Sequence, residues 1–438
     1  MKEASLKYHS QPVPGKLTTV PSKPCATQQD LALAYTPGVA VPCLEIADRP
    51  AAVYDYTGKG NTVAVVSDGT AVLGMGNIGP AAGLPVMEGK CVLFKRFADI
   101  DAVPLCLSGV FGPDGKTDAA VLIETVRRLE PTFGGINLED IAAPACFQVE
   151  AELKKTMGIP VFHDDQHGTA IISLAALMNA MRLLNKKMED LVVVVNGAGA
   201  AGIACARFYL AGGVRKENLI ICNSRGVVTA ETARNDIQRE LATTRPCRTL
   251  AEALQGADVF HGCSVGNCVT PEMIRSMNEG AVVFAMANPT PEIMPDLAIQ
   301  SGAAVVGTGR TDFPNQINNV LGFPGIFRGV LDTRATDINE DMKLAASQAL
   351  AEVARMPVPA DVKAVLAQAY PEDAASGMFD GDSPLSTNYV IPKPFDPRVV
   401  PHVARYVAEA AMRTGVATRQ IADLDAYEAS VTARLSNR

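Results

Sequence analysis

The sequence predicts an α/β protein: an N-terminal α/β domain, then a Rossmann-like, doubly wound dinucleotide-binding domain, then a helical C-terminal tail. Three observations lead there. From about Asp118 onward, short apolar runs alternate with amphipathic stretches, the pattern of a parallel sheet wrapped by helices. The segment "GAGAAG" at Gly197–Gly202 directly follows a β-branched run and opens an apolar helix. Two further strand-like runs end in adjacent carboxylates, Glu139–Asp140 and Asp164–Asp165. A chain of 438 residues holds two or three domains. We divide it into a substrate domain over 1–160, the dinucleotide domain over 161–385, and a helical segment over 386–438 that packs on both.

Taken in order, the first domain is the less regular, with "NTVAVVSDG" and "CVLFK" as its clearest strands. "GGINLEDI" and "GIPVF" follow as apolar runs, and the domain break falls where "GIPVF" leads into "HDDQHGTA". Beyond it, "LVVVV", "NLIIC", "DVF", "AVVFAM" and "AAVVG" are wholly apolar, as strands covered on both faces must be. After Val358 the Pro-rich connection "VIPKPFDPRVVP" gives way to helix.

Composition excludes several classes. A formal net charge of −8 with no basic run argues against nucleic acid or an anionic membrane as partner, since phosphate binding needs concentrated Lys and Arg. The opening "MKEASLKYHSQPVPGK" lacks the apolar stretch of a secretory signal. The longest apolar helical stretch, from Gly168 towards Met181, is broken by Thr169, Ser173 and Asn179, and we expect it to be too short and polar to cross a bilayer. Ten scattered cysteines with no Cys-x-x-Cys pair predict a reduced, cytoplasmic protein.

Two segments match Gly-x-Gly-x-x-Gly, and context separates them. Gly197–Gly202 lies between "LVVVVN" and "IACARFYLAGG", with "NLIIC" completing a βαβ unit. There Gly197 makes the tight turn, Gly199 admits the pyrophosphate, and Gly202 lets helix pack on strand, while Ala200 and Ala201 open the helix N-terminus towards the phosphates. About twenty residues on, where a carboxylate takes the ribose hydroxyls of NAD, stands Asn223, followed by Ser224 and Arg225. No charge there repels a 2′-phosphate and Arg225 can pair with one, so the cofactor reading is NADP or NAD with a lean to NADP. Gly74–Gly79 ("GMGNIG") follows a turn rather than a strand and is soon met by a proline. It is expected to be a close-approach loop or helix start lining the site.

Carboxylate pairs at the ends of neighbouring strands converge on the crevice where such sheets bind ligands. Crowded carboxylates repel unless a cation compensates, and oxygen-only ligands favour Mg²⁺ or Mn²⁺. "HDDQH" imitates a zinc-protease helix, but strand precedes His163, Gly168 follows His167, and Asp164 stands in place of the glutamate base. The two histidines are read as structural.

In this order, "AYTPGVA", "SDGTAVLGMGNIGPAAGLPVMEGK", "FADIDAVPLCL", "INLEDI", "FHDDQHGTA", "NGAGAAG", "ANPTPEI" and "INNVLGFPGIFRG" resemble the malic enzymes, in particular their short bacterial branch without a phosphotransacetylase-like extension. The resemblance runs from about Ala32 to the "PFDPRV" tail. It implies a malic-type N-terminal domain and the oxidation of L-malate by NAD or NADP, with decarboxylation to pyruvate and a requirement for Mg²⁺ or Mn²⁺. Position by position, it implies Glu139, Asp140 and Asp165 as metal ligands, Lys90 as general base with Asp164 beside it, and Tyr35 as the acid protonating the enolate. Asn288 and Asn318 match residues that hold malate, and Gly74 and Gly76 belong to a segment lining that site. Where eukaryotic relatives place an arginine before this loop, Ala71 stands, so the substrate carboxylate must be held otherwise.

Such chemistry needs a base near neutrality, which a desolvated lysine can supply, and a cation to polarise the ketone. Three rivals remain: a malolactic enzyme that keeps its cofactor, an amino-acid dehydrogenase with no need of the carboxylates, and an inactive metabolite-binding paralogue. A homodimer or larger assembly is expected, with the segment carrying Tyr35 near the partner's site.

Overall fold

The computed structural model describes residues 1–72 and 74–436. Leu73, in the expected glycine-loop segment, and the last two residues of the expected 386–438 segment lie outside the described residues. Two parallel sheets organise the chain. The first comprises β1 (Thr62–Ser67), β2 (Asp101–Cys106), β3 (Gly135–Leu138) and β4 (Val161–His163), in the order β2-β1-β3-β4. Val63 to Val66 of β1 are wholly buried, as the uninterrupted apolar run demands. From β1 the chain moves to β2 on one side and later to β3 on the other, so the topological switch point lies beyond Ser67 and Leu138.

The second sheet holds β5 (Val193–Asn196), β6 (Leu219–Asn223), β7 (Gly226–Val227), β8 (Val259–Gly262), β9 (Val282–Ala285) and β10 (Val305–Thr308). Its order is β10-β9-β8-β5-β6-β7, parallel but for β7, which turns back on β6. The switch point here lies between β5 and β8, where Asn196 pairs with Gly262.

Between the sheets runs the helix Asp164–Leu184, packed against Ala200–Ala211 and Glu340–Val353. At 21 residues it is long and apolar enough to cross a membrane, contrary to the sequence expectation, because Thr169, Ser173 and Asn179 do not interrupt it. Its apolar window is 67% buried inside the protein, and Asp164 and Asp165 form its first turn. Apolar content all round is what a central core helix needs. "CVLFK" is likewise not a strand. It lies in the helix Pro80–Ala98, where Met87, Lys90, Cys91, Phe94 and Ala98 are buried at helical spacing.

The first sheet extends through β4 to His163, a little past the expected break at 160, because Ile136–Leu138 pair with Val161–His163. The helix Phe323–Asp332 returns to the first domain, with Phe94 against Phe323 and Phe327 at 4.7 and 5.2 Å between ring centroids. The helix Val399–Arg413 packs on it, and Arg434 Nε bonds Asp99 Oδ2 at 2.7 Å. By contrast, the N-terminal helices Lys2–Ser10, Gln28–Ala34 and Ala40–Asp48 bury no residue. Leu31, Leu33, Tyr35, Val41 and Leu44 are exposed along them.

Candidate active site

The two switch points face each other across a cleft of about 680 Å³, within the range of small-ligand sites. From β3 the chain emerges through Glu139 and Asp140, and from β4 through Asp164 and Asp165. Oxygens of Glu139, Asp140 and Asp165 lie within 4.8 Å of one another. Asp140 takes a left-handed conformation (φ 55°), which aims its backbone N–H at Asp165 Oδ2, 2.7 Å away. Ala71 N–H donates to the Asp140 carbonyl at 2.9 Å, and Ala142 N–H to Thr70 Oγ1 at 2.9 Å. Thr70 in turn donates to Asp68 Oδ1 at 2.6 Å, so the loops after β1 and β3 brace each other.

Lys90 lies on the buried face of its helix and extends its ammonium into this group. Nζ is 2.6 Å from Asp164 Oδ2, 2.9 Å from Glu139 Oε1, and 4.3 Å from the centre of the Phe323 ring. Burial alone would lower the Lys90 ammonium, but Asp164 and Glu139 outweigh it and the net direction is up. Burial raises the Glu139 carboxyl well above its ordinary range. Lys90 opposes that, and Asp165, Asp164 and Asp140 reinforce it. Among the described residues lining the cleft, one ammonium thus faces four carboxylates. An all-oxygen set with that surplus of negative charge fits a hard divalent cation.

On the opposite wall stands the loop Gly197–Gly202. A Cβ on Gly202 would sit 1.8 Å from the Gly197 carbonyl oxygen, and one on Gly197 would sit 2.4 Å from the Cys263 carbonyl oxygen. Gly199 meets nothing within 4 Å and lies on the cleft wall with Ala200 and Ala201, at the N-terminus of Ala200–Ala211. That end offers free N–H groups to a pyrophosphate. Asn223 closes β6 and accepts the Arg225 N–H at 2.8 Å. Arg225 is exposed on the β6–β7 turn.

Gly74, Asn288 and Asn318 also line the cleft, whereas Gly76 is not among its described wall residues. Tyr35 does not reach it either. It is 71% exposed and absent from the wall of its own chain's cleft. His167 is a structural group: Nε2 bonds Glu150 Oε1 at 2.8 Å, and His163 caps the Asp164 helix by accepting the Gln166 N–H.

Two contributors escaped sequence reasoning. Asn319 donates to Asp164 Oδ2 at 3.0 Å and accepts from Thr169 Oγ1 at 3.1 Å. Asn137 donates to Glu139 Oε2 at 2.8 Å. Asn319 sits beside Asn318 in "INNV", so the doubled asparagine was the available signal. Asn137 lies mid-strand in β3 and carried none.

Fold and site together define a two-domain α/β protein with a dinucleotide cradle set against an acidic cleft. Residues 14–154 match the malic enzyme N-terminal domain and residues 166–368 the malic enzyme NAD-binding domain. The chain is 52% identical over 433 residues to an NADP-dependent malic enzyme of Salmonella typhimurium, a match covering 98% of this chain and 54% of the relative. It is 50% identical to a bifunctional malic/malolactic enzyme of Bacillus subtilis, covering 95% and 94%. The crystal structure of malic enzyme from Pyrococcus horikoshii superposes with a TM-score of 0.86 at 41% identity, covering 100% and 96%. This chain belongs to the malic enzyme family. It spans about half the length of the first curated relatives it matches.

Proposed function

We propose that this chain converts L-malate to pyruvate and carbon dioxide while reducing NADP or NAD. The observation that carries the reading is Lys90, bonded to Asp164 and Glu139 on one wall of a cleft whose other wall is the Gly197–Gly202 loop. Glu139, Asp140 and Asp165 are the groups to hold Mg²⁺ or Mn²⁺, and Gly199, Ala200 and Ala201 those to receive the pyrophosphate. When bound, the dinucleotide supplies the hydride acceptor and the cation polarises the substrate's hydroxyl and ketone oxygens.

Lys90 Nζ takes the proton from the malate hydroxyl. It becomes basic only when the negative charge of Glu139 is engaged elsewhere, because the paired carboxylates otherwise hold it as an ammonium. Asp164, itself fixed by Asn319, keeps the amine aligned. With Ala71 in place of an arginine, the amides of Asn288 and Asn318 donate to the malate carboxylates. Tyr35 protonates the enolate carbon from a partner copy in a homodimer, a role supported by its exposure and by the unburied apolar segment around it. A cytoplasmic location fits the ten free cysteines.

Arg225, with no carboxylate at Asn223, supports NADP over NAD. A malolactic reading, with lactate as product and cofactor retained, is favoured only by the name of the Bacillus subtilis relative. The purified chain is mixed with L-malate, Mn²⁺ and either NADP or NAD, and reduced nicotinamide and pyruvate are followed together. Equal amounts of the two support oxidative decarboxylation. Lactate without net reduction moves the reading to malolactic chemistry, and no turnover by folded protein refutes both.

A further inference from the structure

We propose that Cys205, His261 and Cys263 form a second cation site, suited to a soft thiophilic ion such as Zn²⁺ or Cd²⁺, beneath the dinucleotide side of the cleft. Nothing in the malate chemistry uses these groups. Both sulfurs and one imidazole nitrogen lie within 4.8 Å of one another. His261 Nε2 is 3.1 Å from Cys263 Sγ, and its Nδ1 is 2.8 Å from the Tyr209 hydroxyl.

The four side chains come from two rigid elements. Cys205 and Tyr209 lie one turn apart on the helix Ala200–Ala211, His261 is in β8, and Cys263 immediately follows that strand. Cys205, Tyr209 and His261 are wholly buried, while Cys263 forms part of the cleft wall. Cys263 therefore gives an ion a route in from the cleft, and three protein ligands with a fourth position supplied by solvent is an arrangement such ions take.

The chemistry discriminates between the two sites. Thiolate and imidazole donors select Zn²⁺, Cd²⁺ or Cu⁺, whereas the carboxylates of Glu139, Asp140 and Asp165 select Mg²⁺ or Mn²⁺. Two thiols release their protons to solvent when a divalent ion binds, so the loaded cluster is electrically neutral and tolerates burial. Tyr209 can play the outer part such sites need: in the loaded site its oxygen would accept from Nδ1–H, leaving Nε2 as the lone-pair nitrogen facing the sulfurs.

The test titrates Cys25→Ser/Cys43→Ser protein, which lacks the two exposed thiols, with cadmium chloride in excess Mg²⁺. Thiolate-to-cadmium charge-transfer absorption is read alongside bound cadmium by equilibrium dialysis. One equivalent with the absorption band is expected. Adding Cys205→Ser or Cys263→Ser should abolish both signals, and Tyr209→Phe should keep the band while weakening binding about 10- to 100-fold. The cadmium NMR shift of the parent reports sulfur and nitrogen ligation without any variant at the site. No band in folded protein, a shift typical of oxygen ligands, or a band that survives both cysteine substitutions overturns the proposal and leaves a buried polar cluster.

Discussion

Two glycines three residues apart in one loop should fail in opposite ways. A methyl group at Gly202 would lie 1.8 Å from the Gly197 carbonyl oxygen, and that oxygen is backbone and cannot swing away, so the helix Ala200–Ala211 must move off β5. Overpacking of this kind costs about 3 kcal/mol. For a unit of some 200 residues that corresponds to a loss of roughly 6–12 °C in Tm. Gly199 has φ −88°, which any residue adopts, and its added methyl group would meet nothing within 4 Å. Gly199→Ala should therefore melt only about 1–4 °C below the parent, since replacing glycine by alanine at a helix N-cap costs roughly 0.5–1 kcal/mol. The methyl group instead occupies the space a pyrophosphate needs. Losing one charge-assisted hydrogen bond, about 1.5–3 kcal/mol, weakens dinucleotide binding roughly 10- to 100-fold. Calorimetric melting without ligand and fluorescence titration with NADPH separate the two effects. Gly202→Ala melting with the parent, or Gly199→Ala melting low with unchanged affinity, would refute this division of labour.

Lys90→Ala should lower kcat by about 10²- to 10⁴-fold, the worth of a general base. Mixing it with inactive Tyr35→Phe should restore part of the activity if Tyr35 serves the partner's site, and a mixture as dead as its components would exclude that. Because burial raises the Glu139 carboxyl, a proton competes with a cation for it towards acid pH, so Mn²⁺ affinity should rise up to about tenfold per pH unit until the folded value is passed. The same raised value means that stability in chelator is greatest below the ordinary carboxylate range and is lost as pH rises through the folded one. A pH-independent Mn²⁺ titration would count against it. Arg225→Gln should weaken NADP binding about 10- to 100-fold and leave NAD within about twofold, whereas equal losses would remove the residue from 2′-phosphate recognition. Burial works against the Glu150 carboxylate, but His167, His163 and Lys343 outweigh it and hold it at about 2. Its stabilisation, at most about 3 kcal/mol, should be present above its ordinary value and lost as pH falls towards 2. Glu150→Gln should melt low at neutral pH and show a flatter acid limb.

What was legible in the sequence was whatever depends on neighbours in the chain. The glycine loop between β5 and Ala200–Ala211, the acidic ends of β3 and β4, and the apolar strands of the second sheet all follow from local pattern. Three features did not, each for a physical reason. "CVLFK" reads as a strand in a five-residue window, and only the longer spacing of Met87, Cys91, Phe94 and Ala98 reveals one buried helical face. Asn319 matters through a bond to Asp164 across 155 positions, which no local pattern encodes. Tyr35 stands in a motif whose resemblance implies a catalytic acid, yet folding of one chain leaves it exposed and off the cleft wall, which no local pattern foretells.

The two glycine loops show why a motif match cannot be separated from its contacts. In Gly197–Gly202 the tight approaches are internal to the second domain: strand end against helix start, and loop against the Cys263 backbone at the exit of β8. That leaves Gly199 and the helix N-terminus open to a phosphate. In Gly74–Gly79 the glycine that meets a neighbour is Gly74, whose Cβ would stand 3.1 Å from the Asn288 carbonyl oxygen of the other domain. The loop then runs into Gly79, which caps the helix carrying Lys90. One set of glycines shapes a cradle within a domain, while the other brings two domains close enough for Lys90 and Asn288 to face the same cleft. The spacing of the letters is the same, and the physical use of the missing side chain differs because the close approach in one case is within a sheet and in the other is between two.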